Sequence, residues 1–193
     1  MSNIRKFNVI VAACENGGIG YKDALPWTLK GDMKQFAQLT TETSDPQKKN
    51  AVVMGRKTWF AIPENHRPLK NRINVVISTT LSELKPPCYV VGSVEDALVL
   101  LSSSPLLEQV EKVWMIGGER VYSYAMESPQ LDRVYFTRIY GHFECDAFFP
   151  VAKLDKLEAV KDPRVSETDQ EENGIKYKYE VLQSPKSELV NAA

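Results

Sequence analysis

The chain has 193 residues, of which 43% are hydrophobic and 25% are charged, and its formal net charge is -1. This length and composition indicate one ordinary globular domain. The near-neutral charge gives no electrostatic reason to expect nucleic acid or an anionic membrane as a partner.

The first predicted elements are a buried strand and a glycine-rich loop. Residues 7–13, FNVIVAA, form a nearly continuous apolar run, as expected for a strand covered on both faces. The loop ENGGIGYKDALPW follows this strand and leads to the first predicted helix.

That helix carries an acid on its apolar stripe. In the stretch LPWTLKGDMKQF, a helix is predicted to begin after Pro26 and Trp27. Its buried stripe consists of three apolar residues: Leu29, Phe36 and Leu39. Asp32 falls on the same stripe, where burial of an unpaired charge would cost several kcal/mol, roughly. An acid early in a helix also interacts well with the helix dipole, so the pattern leaves a functional and a structural role open.

Strands and helices then alternate along the chain. Four apolar runs rich in valine and isoleucine are predicted strands: residues 51–54, 73–78, 89–91 and 112–116. One intervening helix starts at Ser93 with Asp96 three residues later, a pair suited to capping, and another follows Gly117 and Gly118. Such alternation requires right-handed crossovers, and therefore a mostly parallel sheet with helices on both faces. The predicted fold class is α/β.

The pattern changes after the strand RVYFTRIY, residues 133–140. An acidic loop leads to IKYKYEVL, whose strict alternation fits a last antiparallel strand at one side of the sheet. Residues 184–193 are predicted to form a flexible C-terminal tail.

Two strand-to-helix turns have features of phosphate-binding sites. In AVVMGRKTW a strand ends at Gly55 before Arg56, Lys57 and Thr58, and in KVWMIGGERVY a strand ends at a pair of glycines. Glycines and open helix amides favour an anion, and the two turns together favour a nucleotide ligand. Neither turn matches a Walker loop, and no GxGxxG follows the first strand, which disfavours P-loop kinases and ordinary Rossmann dehydrogenases.

Other chemistry has little support in the sequence. Three cysteines at unrelated spacings and two histidines in loop-like surroundings form no nucleophile motif and no metal cluster. A reducing compartment suits these cysteines, and no run approaches the roughly 20 apolar residues of a membrane span. We therefore expect a cytoplasmic protein without a metal ion, and Asp32 stands out as its ionisable group in a cleft.

Several motifs in register resemble those of the dihydrofolate reductase family. They are GIGYKDALPW, an acid five residues after that tryptophan, MGRKTWFAIP, RPLKNRINVVIS, WMIGGERVY and FTRIY. The resemblance covers about residues 7–183 and is similar in loop lengths to the eukaryotic single-domain members. It implies one domain over residues 1–183, with a central eight-stranded, mostly parallel sheet.

The resemblance also implies an activity. Members catalyse the NADPH-dependent reduction of 7,8-dihydrofolate to 5,6,7,8-tetrahydrofolate, which supports one-carbon metabolism and the synthesis of thymidylate and purines. The implied partners are dihydrofolate, with folate as a further candidate, and antifolate inhibitors. A monomer is expected.

By the same resemblance, Asp32 would bind two adjacent N–H donors of the pterin ring, and Thr137 would share its hydrogen-bond network. Leu25 and Trp27 would shield the site and order a water molecule. Arg72 would hold the α-carboxylate of the folate. The remaining substrate-contacting positions are implied to be Ile10, Val11, Ala12, Met33, Phe36, Ile62, Leu69, Ile116 and Tyr122.

The cofactor positions follow in the same way. The residues implied to contact NADPH are Ala12, Ile19, Gly20, Arg56, Lys57, Thr58, Ser78, Thr79, Thr80, Gly117, Gly118, Glu119, Arg120, Val121 and Tyr122. Gly117 and Gly118 would be joined by a cis peptide bond. Animal members often carry arginines where this chain has Thr79 and Gly92, so Arg56 is expected to provide most of the 2′-phosphate recognition.

Two alternatives remain at this point. One is a pterin or pyrimidine reductase on the same scaffold, against which Asp32 together with Arg72 favours a folate with its glutamate tail. The other is a non-catalytic folate-binding or nucleotide-binding module, which would not need Asp32 with Thr137.

Overall fold

The computed structural model describes residues 4–185, which form an α/β fold. The strands are β1 (Phe7–Cys14), β2 (Gly18–Gly20), β3 (Lys49–Gly55), β4 (Arg72–Ile77), β5 (Cys88–Val91), β6 (Val110–Met115), β7 (Leu131–Tyr140), β8 (Ala147–Phe148), β9 (Glu158–Ala159), β10 (Gln170–Glu172) and β11 (Ile175–Gln183). The α-helices are α1 (Lys30–Thr41), α2 (Arg56–Ala61), α3 (Val94–Leu101), α4 (Leu106–Gln109) and α5 (Glu119–Ala125). Short 3-10 turns occupy Glu64–His66 and Val151–Lys156. The predicted tail, residues 184–193, lies outside the described residues from residue 186 onward.

Eight strands form a continuous sheet in the order β10-β11-β7-β1-β6-β3-β4-β5. The strands from β7 to β5 in this order pair in parallel, whereas β11 pairs antiparallel with β7 and with β10. The two-residue β9 adds a further antiparallel pairing to β11. The prediction of an eight-stranded, mostly parallel sheet with an antiparallel C-terminal strand is therefore confirmed.

Hydrophobic cores lie on both faces of this sheet, because successive residues of a strand point to opposite sides. On β1, Val9 packs in the cluster that contains Leu98 of α3, and Ile10 packs in the cluster that contains Leu39 of α1 and Trp59 of α2. Helices thus cover both faces, as predicted. The buried central strands provide a firm support for residues at their carboxyl ends.

The first helix begins later than the sequence analysis predicted. It starts at Lys30 rather than directly after Trp27, because Leu29 keeps an extended backbone with φ -127° and ψ 100°. Leu29 and Leu39 are buried as expected. A leucine at the N-cap position has no side-chain acceptor for the amides of the first turn. Those amides therefore need a partner from elsewhere in the chain.

The start of α3 agrees with the sequence pattern, whereas the loop before the last strand contains an additional element. The predicted cap of α3 is present, because the Asp96 N–H donates to Ser93 Oγ at 3.0 Å. The acidic loop before the last strand contains a short strand, β10, that the sequence analysis did not identify. It joins β11 through Asn173 and Gly174, whose φ angles of +53° and +75° are those of a tight hairpin turn.

Candidate active site

A cleft of about 1780 Å³ opens at the carboxyl ends of the parallel strands. Ligands of α/β sheets generally bind at this edge. All the residues predicted for catalysis, for substrate contact and for cofactor contact line this one cleft. The fold therefore brings together residues from distant parts of the chain, while the role of each residue stays a prediction.

Asp32 lies in the first turn of α1 and contacts β7. Thr137 Oγ1 donates a hydrogen bond of 2.7 Å to Asp32 Oδ1, as the resemblance implied. Burial raises the pKa of the Asp32 carboxyl, the bond from Thr137 opposes this rise, and the negative charge of Glu172 adds to it. Within residues 4–185, Asp32 forms no ion pair and its Oδ2 accepts no hydrogen bond. The carboxylate thus keeps acceptor capacity for a ligand.

Trp27 and Leu25 lie at the end of the glycine-rich loop and differ in exposure. Trp27 is buried and packs edge to face against Phe143, with ring centroids 5.2 Å apart. Its Nε1 is buried and has no hydrogen-bond partner among the described residues, so it is available to a water or a ligand atom. Leu25 is 53% exposed at the mouth of the cleft. The pair can therefore shield the cleft from one side.

Apolar side chains form the walls of the cleft. Those predicted for substrate contact come from β1, from α1 and from the segments after α2, before β4 and after β6: Ile10, Val11, Ala12, Met33, Phe36, Ile62, Leu69 and Ile116. Met33 is 50% exposed, a large apolar side chain at the surface of a helix. Such walls suit a flat, largely apolar ring system with a few polar atoms.

Arg72 is held in place by uncharged groups. Its Nη1 donates to Thr40 Oγ1 at 2.8 Å and its Nε donates to the Lys70 carbonyl at 3.0 Å. The guanidinium also lies 5.9 Å from the ring centroid of Phe36. Arg72 is only 7% exposed, and burial lowers its pKa from the ordinary arginine value. No carboxylate within the described chain pairs with it, so its charge is available to a ligand in the cleft.

The two glycine turns lie side by side. The Gly55 N–H donates to the Gly117 carbonyl at 2.8 Å, and the Gly117–Gly118 peptide bond is cis, as the resemblance implied. Neither α2 nor α5 has a side-chain cap on its first turn. Arg56 is exposed next to these turns. Backbone amides and a cation therefore converge where an anionic group could be bound.

Tyr122 joins α5 to the first strand. Its hydroxyl is buried and donates to the Ile10 carbonyl at 2.8 Å. Burial raises the pKa of this hydroxyl, so it stays protonated and cannot act as a base near neutral pH. Its position between Ile10 and Gly117 is compatible with the predicted place next to the cofactor ring, which stays a prediction.

Some residues of the cleft were not predicted from the sequence. Tyr179 and Glu180 of β11 line it, as does His66, one of the two histidines in loop-like surroundings. The acidic residue Glu172 lies on β10 against the start of α1, as described below. The strict alternation of β11 could have identified Tyr179 as a residue facing the same side as Tyr177.

The cysteines were considered as nucleophiles and as metal ligands. Cys14 is buried with its sulfur 4.0 Å from that of Cys145, and burial raises the pKa of the Cys145 thiol to about 11. Both cysteines carry free thiols. Residues 4–185 contain no group of three or more side chains that could hold a metal ion. No helix within this range is long and apolar enough to cross a membrane.

Comparisons with known proteins agree with this geometry. The sequence model of the family described as dihydrofolate reductase matches residues 6–184. The dihydrofolate reductase of Drosophila melanogaster is 46% identical over 180 residues, covering 92% of this chain and 97% of that protein. That of Gallus gallus is 46% identical over 183 residues, covering 93% and 97%. The solved structure of Schistosoma mansoni dihydrofolate reductase is 42% identical, has a TM-score of 0.85, and matches 94% of this chain and 99% of its own.

Proposed function

Because the chain belongs to the dihydrofolate reductase family and is an oxidoreductase that reduces dihydrofolate, we propose that NADPH is its reductant and that the cleft around Asp32 is its active site. The main support is that all the implied site residues line one cleft, in which Asp32 and Arg72 have no partner of opposite charge within residues 4–185. Family membership sets aside the non-catalytic module.

Asp32 and Arg72 fix the substrate at its two ends in this proposal. Asp32 accepts two N–H bonds from the pterin ring through a carboxylate that the protein itself satisfies only with Thr137. Arg72 binds the α-carboxylate through donors that Thr40 and Lys70 leave unused. The apolar walls between them exclude water, which strengthens both charged contacts. The need for a carboxylate also favours a folate over a simple pterin or a pyrimidine.

The proton reaches the ring nitrogen by way of a water rather than directly from Asp32. The carboxylate, bonded to the N–H groups at the far side of the ring, increases the basicity of that nitrogen. Trp27 supports the water through an indole N–H that no described residue satisfies, and exposed Leu25 covers the entrance. Both residues thus act by excluding bulk water and by holding one water in place.

The residues around the two glycine turns fit a dinucleotide phosphate. The first turns of α2 and α5 have no side-chain caps, and the turns are close enough that a Cβ on Gly118 would lie 3.4 Å from Thr58 Oγ1. Ser78 Oγ accepts the amides of Thr80 and Leu81, which orders the turn after β4. When bound, NADPH supplies the hydride that the pterin carbon accepts. Arg56, exposed beside the first turn, would bind the 2′-phosphate.

The wider role follows from the same proposal. We take residues 1–183 as one dihydrofolate reductase domain that acts as a cytoplasmic monomer and provides tetrahydrofolate for one-carbon metabolism and for thymidylate and purine synthesis. Antifolates that mimic the pterin ring should compete for Asp32.

A turnover assay tests the proposed function. Purified protein should consume NADPH, followed by the loss of its near-ultraviolet absorbance, only when dihydrofolate is added. Replacement of dihydrofolate by an unconjugated dihydropterin, which lacks the glutamate tail, should raise KM strongly. Binding of NADPH without turnover at any accessible pH would refute the proposal.

The preference for NADPH is tested with Arg56→Ala. Loss of a charge-assisted contact of about 1.5–3 kcal/mol should weaken NADPH binding roughly ten- to hundredfold and leave NADH binding nearly unchanged. Lys49→Ala is the matched control, because Lys49 is an exposed cation at the far end of β3, the strand that leads into Arg56. An equal loss of NADPH and NADH affinity in Arg56→Ala would contradict the assignment of the 2′-phosphate.

A further inference from the structure

The tip of the β10–β11 hairpin is hydrogen-bonded to the start of α1, the helix that carries Asp32. Glu172 Oε1 accepts the Lys30 N–H at 2.8 Å, and Glu172 Oε2 accepts the Gly31 N–H at 2.9 Å. The neighbouring Asn173 Nδ2 reaches the Thr28 carbonyl at 3.4 Å. The backbone on the N-terminal side of Asp32 is thus bonded to side chains that lie more than a hundred positions away in the sequence.

This contact replaces a cap that the local sequence cannot provide. Leu29 occupies the N-cap position and has no acceptor for the amides of the first turn. Acceptors at this position normally come from serine, threonine, asparagine or aspartate. Glu172 supplies two acceptor oxygens and a negative charge at the positive end of the helix dipole. The two amides lower the pKa of Glu172, so it is ionised near neutral pH.

The packing at Gly31 shows independently how closely the hairpin and the helix approach. A Cβ at Gly31 would lie 2.6 Å from Tyr177 Oη and 3.4 Å from Glu172 Oε2. Any side chain would therefore displace Tyr177, so glycine is required although it weakens a helix. The first turn of α1 is fixed by steric contact as well as by hydrogen bonds.

We propose that Glu172 is a positioning residue for dihydrofolate reduction, which holds the first turn of α1 so that the Asp32 carboxylate meets Thr137 and the pterin ring. This inference rests on the role proposed for Asp32 above. Glu172 itself does not line the cleft. Its effect passes through the two amides that immediately precede Asp32 in the chain.

The charge of Glu172 has a second, measurable consequence. The titratable and charged groups that face Asp32 are Glu172 of β10, Tyr177 and Tyr179 of β11, Tyr122 of α5, and Lys30 on its own helix, which lies against Glu172. Of these, Glu172 carries the negative charge, which disfavours ionisation of Asp32 and raises its pKa. Removal of that charge should lower the pKa of Asp32. It should also shift the pH dependence of turnover toward lower pH.

An NMR titration of the free protein tests this without any turnover. In protein labelled with 13C at aspartate carboxyl groups, the Asp32 signal is the one absent from Asp32→Asn. Its pKa should be lower in Glu172→Gln than in the wild type and unchanged in the control Glu171→Gln, whose carboxylate lies exposed on the same strand. An unchanged pKa in Glu172→Gln, or an equal shift in Glu171→Gln, would overturn the inference.

Kinetics of three variants test the positioning role. In Glu172→Ala, kcat/KM for dihydrofolate should fall about ten- to hundredfold, as expected for a small misplacement of a catalytic group, while the NADPH Kd stays unchanged. Glu172→Asp, which keeps the charge, should restore part of the loss, and Glu171→Gln should behave as the wild type. A wild-type rate in Glu172→Ala, or an equal loss of NADPH binding, would refute the positioning role. Absence of turnover in the wild type would instead refute the proposed function and leave the NMR result valid.

Discussion

Two sets of charged residues, Asp32 with Arg72 and Asp162 with Arg164, differ in how the protein satisfies their charges. In the cleft, Asp32 and Arg72 are separated and are held only by uncharged groups such as Thr137 and Thr40. In the loop between β9 and β10, Asp162 and Arg164 bind each other directly, with the Arg164 Nη2 2.6 Å from Asp162 Oδ2. The charges of Asp162 and Arg164 therefore neutralise each other within the protein, whereas those of Asp32 and Arg72 have no partner of opposite sign among the described residues.

The second pair is a complete network. Asp162 accepts three hydrogen bonds from Arg164, through its amide, Nε and Nη2, and a fourth from the Tyr135 hydroxyl at 2.8 Å. The bonds from Arg164 lower the pKa of Asp162 well below the ordinary aspartate value. Gln35 of α1 donates to the main-chain carbonyl of Arg164, a contact that does not involve the Asp162 carboxylate.

The comparison separates charged residues whose bonds are satisfied within the protein from charged residues that remain available to a ligand. A buried charge whose bonds are all satisfied is compatible with a stable fold, and its removal leaves its partners without their bonds in a low-dielectric environment. A buried charge without a partner of opposite sign destabilises the free protein and is tolerated because a ligand supplies the missing bonds. Asp32, which is half-buried, and Arg72, which is buried, are of the second kind.

The largest expected effect is that of Asp32→Asn on catalysis. Because a neutral amide replaces the anionic acceptor of two N–H donors and no longer increases the basicity of the ring nitrogen, kcat/KM for dihydrofolate should fall about a thousandfold. The NADPH Kd, measured by fluorescence titration, should not change, because Asp32 is not among the predicted cofactor contacts. A variant with near wild-type turnover would remove Asp32 from the mechanism.

Asp162→Ala should reduce stability and leave catalysis nearly unchanged, the opposite of what is expected for Asp32→Asn. Loss of the buried Asp162 from its pair with the partly exposed Arg164 should reduce the free energy of unfolding by about 2 kcal/mol, measured by chemical denaturation. Turnover per folded molecule should stay within about twofold of the wild type. Asp169→Ala is the control, because Asp169 is exposed in the same loop, and its stability should be unchanged. A stable but inactive Asp162→Ala would show that the two pairs are not functionally distinct.

Arg72→Lys keeps the charge in the cleft but removes the fork of donors. KM for dihydrofolate should rise about tenfold while kcat changes little, since a lysine cannot bind a carboxylate bidentately. The nearby Arg67, which stacks over Phe60 and does not line the cleft, provides the control as Arg67→Lys. A change in kcat alone, with KM unchanged, would argue against substrate binding by Arg72.

The smallest effect is on the pH dependence of stability, where the two acids should act in opposite directions. The pKa of Asp162 is lowered by folding, so its contribution is full above the unfolded-state value of about 3.9 and is lost as the pH falls. The pKa of Asp32 is raised by folding, so its contribution is full below that value and is lost as the pH rises through the folded-state pKa.

Denaturation curves of the two asparagine variants at several pH values separate these contributions. Asp32→Asn should gain stability over the wild type as the pH rises above about 4, whereas the stability deficit of Asp162→Asn should be constant above about pH 4 and should shrink as the pH falls below that value. Parallel curves for the wild type and both variants would contradict the assigned pKa directions.

Much of the fold was predictable because its signals are local. Apolar runs such as residues 51–54 mark buried parallel strands, and Ser93 with Asp96 marks a helix start that the structure confirms. Asp32 was visible as a charge on an apolar stripe, although only the surrounding motifs distinguished a ligand site from a helix-dipole contact. These features depend on spacing within a few residues.

The parts that could not be predicted depend on contacts between distant segments. The hydrogen bonds from the Lys30 and Gly31 amides to Glu172 join residues about 140 positions apart. The local sequence pattern of neither segment predicts them. The later start of α1 has the same origin, since its first turn is held by the hairpin rather than by a local cap. The Asp162 network likewise forms only when β7 and the loop after β9 meet.

The distinction between the two acids is tested most directly by measuring dihydrofolate-dependent oxidation of NADPH for Asp32→Asn and Asp162→Asn side by side, per folded molecule. We expect a loss of at least about a hundredfold in kcat/KM for Asp32→Asn and a change of less than about threefold for Asp162→Asn. Similar losses in both variants would contradict the conclusion that the unpaired acid of the cleft serves the substrate.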